Sequence, residues 1–153
     1  MTGSEVLGDR MSALVRAFGL LAQDRTPCGE SMSVSVAHAL LALDRAPALA
    51  QGALIDHLRL EKSTVSRLVD SLVRRGWVRR TTDHRDGRAI RLVLTNDGQS
   101  VADRLATARA GRFATIFERI PQAAQPQVLQ ALAILVDAID EQDVDAARPE
   151  VDS

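Results

Sequence analysis

The sequence has no tyrosine, one tryptophan, three phenylalanines and one cysteine in 153 residues. With aromatic residues at 3% of the chain, stacking rings on unpaired bases is excluded as a main binding device. Cys28 has no second cysteine for an intrachain disulfide, which fits a reducing compartment and predicts a cytoplasmic protein. No stretch reaches the roughly 18 apolar residues of a membrane span, so no membrane partner is expected. The acidic start MTGSEVLGDRM lacks the basic leader of a secretory signal. Also missing are G-x-S-x-G, G-x-x-x-x-G-K, H-E-x-x-H and a glycine-rich dinucleotide turn, so neither an enzyme nor a cofactor is expected. Lysine occurs once, at Lys62, so arginine richness alone proves little.

What is present is ordinary globular composition, 46% hydrophobic and 25% charged, at a length that suits one domain. The charge is unevenly placed. From Arg59 to Arg91 there are ten basic and four acidic residues, so this segment is +6 and the rest is −7, for a net −1. A basic segment in an otherwise acidic chain is the footprint that a phosphate backbone selects. A solvated charged surface has the same look, and charge alone does not separate the two.

The apolar pattern predicts a mainly α protein with a small β-hairpin wing. Leu7, Met11, Leu14, Phe18 and Leu21 form one helical stripe over 6–21. Pro27 and Gly29 mark a loop over 24–31. A helix from Ser33 to about Arg45 turns Val36, Ala39, Leu40 and Leu43 inward and ends before Pro47. Leu54, Ile55 and Leu58 mark a short helix. Val65, Leu68, Val69, Leu72 and Val73 mark another, stopped at Gly76. The turn between them, around Arg59 to Lys62, is short enough for a helix-turn-helix. The period then drops to two. WVRRTT and AIRLVLT are candidate strands around Asp86-Gly87, where a tight hairpin is expected. Thr95 is placed to cap a helix over about 96–119, and Pro121 and Pro126 bracket a break. A last helix covers about 127–141, with Val128, Leu132, Leu135, Val136 and Ile139 on one side, and 144–153 is expected to fray. The outer stripes exceed what the small central unit can cover, which predicts that two copies share them as a homodimer.

In a helix-turn-helix the second helix enters the major groove of double-stranded DNA. Its outward positions here are Ser63, Thr64, Ser66, Arg67, Asp70 and Arg74. Short hydroxyls allow close approach, and Arg67 suits bidentate reading of a guanine. Lys62, Arg74 and the helix-start amides suit phosphates. An ordinary solvated helix face would also read as STVSR; the basic hairpin after it tips the balance toward DNA. At its tip, Arg88 suits the minor groove, with Asp86 near enough to orient its guanidinium. Arg85 and His84 would reach flanking phosphates.

The run LRLEKSTVSRLVDSLVRRGWVRRTTDHRDGRAIRLVLTNDG resembles the MarR family of transcription regulators. The resemblance lies in the recognition helix, in Asp86-x-Arg88, and in Leu94, Thr95 and Gly98, and the helix order fits over residues 5–142. It implies a single domain with a winged helix-turn-helix at about 33–98 and dimerisation helices at about 5–23 and 99–142. It also implies a ligand-responsive repressor, homodimeric on a pseudo-palindromic operator and released by a small-molecule effector. An effector cleft taking in Phe18, Leu21, Met32 and His38 would follow from that resemblance. The chain departs from the family pattern at Arg59, where a turn glycine is common, at Ile55 in place of a small alanine, and at Val36 in place of glutamine.

Two other readings stand beside this one. Cys28, with Arg25 near in sequence, could act as a thiol sensor, or Cys28, Glu30 and His38 could contribute to a metal site, although zinc wants about four ligands and their spacing is irregular. Alternatively, the winged helix could bind an acidic protein surface and no DNA. Steep salt dependence and preference for one palindrome would separate DNA binding from that case.

Overall fold

The computed structural model describes residues 2–82 and 89–146. Nothing in the described part is a helix long and apolar enough to cross a membrane. The chain divides into two compact units, Met1–Gly111 and Arg112–Ser153.

The first unit opens with α1, Gly3–Phe18. Thr2 and Glu5 close a reciprocal cap at its start: the Glu5 amide donates to Thr2 Oγ1 at 3.3 Å, and the Thr2 amide donates to Glu5 Oε2 at 2.5 Å. Gly19 at φ +83° ends the helix. The stripe read from sequence therefore runs one turn too far. Leu20-Leu21 kept the apolar spacing in phase, but Leu21 lies beyond the helix and is 68% exposed. The loop segment after it is self-bonded, with the Thr26 and Gly29 amides donating to Glu30 O and Thr26 O, each at 2.9 Å.

Ser33 caps α2, Val34–Arg45, by accepting from the Val36 amide at 3.3 Å. This helix is buried on more sides than a simple stripe requires: Val36, Ala37, Ala39, Leu40, Leu41, Ala42 and Leu43 are all in the core. Strand β1, Leu49–Ala50, had no sequence signal; Ala48 at φ +59° turns the chain into it. Helix α3, Gln51–Leu58, contributes Leu54, and α4, Lys62–Arg74, contributes Val65, Leu68, Val69 and Leu72. The three-stranded antiparallel sheet has the order β1-β3-β2, with β2 at Val78–Thr82 and β3 at Ile90–Leu94. Val78 and Leu92 face the core, which Val101, Ala102 and Leu105 of α5, Asn96–Glu118, complete. Burying a leucine of this kind stabilises the fold by about 1.5–3 kcal/mol.

Arg59, the C-cap of α3, sits at φ +52°, ψ +39°, the left-handed region that favours glycine. A side chain there costs roughly 1–2 kcal/mol, of which glycine's greater freedom in the unfolded chain takes back about 0.5–1. Arg59→Gly is therefore expected to raise stability by up to about 1 kcal/mol, read as a higher urea midpoint at unchanged slope.

In the second unit, a 3-10 turn at Gln122–Ala124 leads into α6, Gln125–Ala146. Pro126 lies in the first turn of α6, where its missing N–H has no helical partner to lose, so the break lies on the Pro121 side. The helix runs on to Ala146, into the segment 144–153 that was expected to fray.

Candidate nucleic-acid interface

Arg59 at φ +52° turns the chain out of α3, its amide donating to Ile55 O at 3.0 Å. Only Leu60 and Glu61 then precede α4. Glu61 provides no side-chain cap at the start of α4, and its carbonyl accepts from the Thr64 and Val65 amides at 2.9 and 3.0 Å. Val65, Leu68, Val69 and Leu72 anchor one face in the core, and this phase fixes the opposite one. Ser63, Arg67, Asp70 and Arg74, spaced four, three and four apart, form its centre. Lys62, Ser63, Arg67 and Arg74 are exposed, whereas Thr64 and Ser66 on the flanks are half-buried. Ser66 Oγ accepts from Gln51 Nε2 of α3 at 3.3 Å, which ties the two helices of the motif together.

Two further contacts join α4 to the chain that continues from it into the wing. The Arg80 guanidinium of β2 donates to Asp70 Oδ1 at 2.5 Å, and Arg75 lies 4.9 Å over the Trp77 ring. Neither was read from the sequence, because each depends on where β2 starts. Strands β2 and β3 pair from Val78↔Leu94 to Thr82↔Ile90. Of the wing-tip residues assigned to DNA, Arg85, Asp86 and Arg88 lie outside the described residues, as does His84. The base of the hairpin is anchored by Thr95. Its amide donates to Trp77 O at 3.0 Å, its hydroxyl donates to Gly76 O at 2.5 Å, and that hydroxyl accepts from the Gly98 amide at 3.0 Å.

Exposed basic residues on a helix whose other face is buried, beside a two-stranded ribbon, form a winged helix-turn-helix. Residues 31–89, from the start of α2 into the hairpin, match the model of the MarR family. Over that segment the chain resembles the winged-helix regulators of the MarR family. The PcaV transcriptional regulator from Streptomyces coelicolor, solved with its natural ligand, is similar with TM-score 0.68 and 25% identity, over 90% of this chain and 94% of that one. A MarR transcriptional regulator from Methanosarcina mazei Go1 gives TM-score 0.71 and 23% identity, over 90% and 98%. FabT of Streptococcus pneumoniae, solved in complex with DNA, gives TM-score 0.70 and 17% identity, over 91% and 95%. The last two likenesses speak to fold alone. No curated protein sequence matches the chain.

The MarR-type effector residues expected from sequence have unlike surroundings. Phe18 is half-buried at the last position of α1, Leu21 is exposed, and Met32 is 7% exposed within the core. An open hollow of about 460 Å³ is lined by Glu118, Arg119, Ile120, Pro121, Gln122 and Gln125, and takes in none of them. Cys28 is half-buried against the core, its Sγ 3.0 Å from Thr26 Oγ1. Among the described residues no group of three or more His, Cys, Asp or Glu is placed to hold a metal ion.

His38, also among the expected effector residues, occupies an exposed place on α2. Its imidazole is nonetheless held below the usual 6.5, first by partial desolvation and then by the charges of Arg109, His57 and Arg45. With the folded value below the unfolded one, the unfolded chain binds more protons between the two. Stability is therefore expected to fall as pH drops through 6.5, and to level off below the folded value. A His38→Gln variant should show a shallower fall in thermal midpoint over the same range.

Proposed function

We propose that this MarR-family chain is a sequence-specific regulator that binds double-stranded DNA as a homodimer, represses from a pseudo-palindromic operator, and leaves it when a small molecule binds. One observation carries the reading: the α4 stripe Ser63–Arg67–Arg74, led by Lys62, is exposed and basic while the opposite face is locked into the core. Ser63, Thr64, Ser66 and Arg67 then read the major groove. Lys62, Arg74 and Arg85 hold phosphates, and Arg88, oriented by Asp86, enters the minor groove. FabT solved on DNA and PcaV solved with its natural ligand support the two halves of the proposal. Apolar residues left exposed on α1 and α6 support the dimer, whose two recognition helices would meet half-sites about one helical turn apart. The dimerising segments are then about 5–23 and 99–142, with the winged helix at about 33–98.

The test is binding to a duplex enriched from a random-sequence library by the protein itself, against a shuffled duplex of the same composition. Binding should weaken steeply with salt and favour the enriched duplex. Arg67→Ala should cost about 1–3 kcal/mol and relax preference at one base position, whereas Arg88→Ala should weaken both duplexes more evenly. Equal, feeble binding to both duplexes would sink the DNA reading and favour an acidic protein partner.

A further inference from the structure

Resting on the DNA-binding reading above, we propose that Gln51 is a positioning residue for base recognition. Its amide holds the Ser66 hydroxyl as a hydrogen-bond donor, so that Ser66 selects a keto base over an amino base at one pair of each half-site.

A serine hydroxyl alone discriminates weakly between bases. It carries one donor and two acceptor lone pairs, and it rotates to suit either kind of edge. Ser66 is more constrained than that. Its Oγ accepts from Gln51 Nε2 at 3.3 Å, and an amide nitrogen only donates, so one lone pair is committed and the hydroxyl proton is turned away from α3. That proton has no acceptor among the described residues. Hydroxyls elsewhere in the helices behave differently. On α5, Ser100 and Thr107 donate back to Asn96 O and Asp103 O, four residues earlier, at 3.1 and 2.9 Å. Ser66 makes no such bond to the carbonyl of Lys62, four residues before it.

Both partners are half-buried, Gln51 at the first position of α3 and Ser66 on the flank of the exposed stripe next to Arg67. With one lone pair occupied from the α3 side, the hydroxyl presents its donor outward. In the major groove a donor is matched by guanine O6 or thymine O4 and opposed by the amines at cytosine N4 and adenine N6. The contact is made to a base edge, so its strength changes with the sequence, unlike a contact to phosphate. Gln51 therefore acts on specificity without touching DNA, by removing the second of the two roles that a loose hydroxyl would play.

The test enriches duplexes from a random-sequence library with wild type, Ser66→Ala, Gln51→Met and Gln51→Glu. It then measures Kd on duplexes that differ at single base pairs, alongside melting temperatures. Ser66→Ala should flatten the preference at one base pair of each half-site by about two- to tenfold, the worth of one net hydrogen bond. Gln51→Met keeps the length of the side chain but frees the hydroxyl, and should flatten the same pair and no other. Gln51→Glu keeps the shape and reverses the bond, because a carboxylate only accepts: Ser66 then donates to it and turns its lone pairs to the DNA. Preference at that pair should move from guanine or thymine toward adenine or cytosine, while the added charge weakens all duplexes alike. Unchanged preference at that pair in both Gln51 variants would overturn the proposal. So would an even loss at every base pair with a lowered melting temperature, the mark of a bond that only joins the two helices. A wild type with no preference for any duplex would instead remove the operator reading, and the role of Gln51 with it.

Discussion

Gly98→Ala should lower the folding free energy by roughly 3 kcal/mol or more, enough to drop the melting temperature by about 6–12 °C in a chain of this length. A Cβ at Gly98 would lie 1.9 Å from Trp77 O, 2.8 Å from Trp77 C and 3.1 Å from Trp77 Cα. All three are backbone atoms, so no side chain can swing away to make room. Trp77 O is also held in place, accepting from the Thr95 amide at 3.0 Å, while the Thr95 hydroxyl bridges Gly76 O and the Gly98 amide. Relieving the clash means pulling α5 off the end of α4 and breaking the cap that starts it. Gly111 supplies the control within the same helix. A Cβ there meets nothing within 4 Å, so Gly111→Ala should gain about 0.5–1 kcal/mol from helix propensity alone. Opposite signs at two glycines of one helix, read from urea midpoints, would assign the role of Gly98 to contact rather than to backbone freedom. Equal small shifts would show that the Trp77 carbonyl has room to move.

That joint also marks the limit of what the sequence could disclose. Thr95 and Gly98 were visible as part of the MarR-like pattern, yet the reason for the glycine lies in a carbonyl twenty-one residues earlier, which no local period reveals. Helices α2 and α4 were legible because a buried face imposes its spacing on the chain. The outward phase of Ser63 and Arg67 follows from the same fact. The end of α1 was misplaced because Leu20 and Leu21 continued an apolar rhythm that Gly19 had already interrupted. Strand β1 was illegible for a different reason. Two residues carry no alternation, and Leu49 and Ala50 are extended because β3 offers them Leu92 and Arg91 to pair with. The Asp70–Arg80 contact needed the register of β2 against β3, which sets the face that Arg80 takes.

Under the proposed dimer, Leu132→Glu is expected to leave monomers and reduce operator affinity by about 10²–10⁴-fold, the advantage that tethering a second half-site confers. No residue of α1 is buried within the described chain, and Leu7 and Leu14 are 49% and 48% exposed. On α6, Leu132, Val136 and Ile139 are 46%, 53% and 40% exposed, and they recur four and three apart, on one side of the helix. A stripe of that length left to water is unfavourable for a lone protein and is what a self-complementary surface presents. Because Leu132 is half-exposed in the single chain, a glutamate there is tolerated by each monomer and penalised only where a second copy covers it. The first unit, with its own core, should therefore keep its helical signal and its reading face. Wild-type melting should rise with protein concentration, since association stabilises the folded form, and the variant's should not. Light scattering on both proteins, with binding to full and half operators, separates the outcomes. A variant that stays dimeric and holds the full operator as tightly as wild type would show that this face of α6 is not where the copies meet.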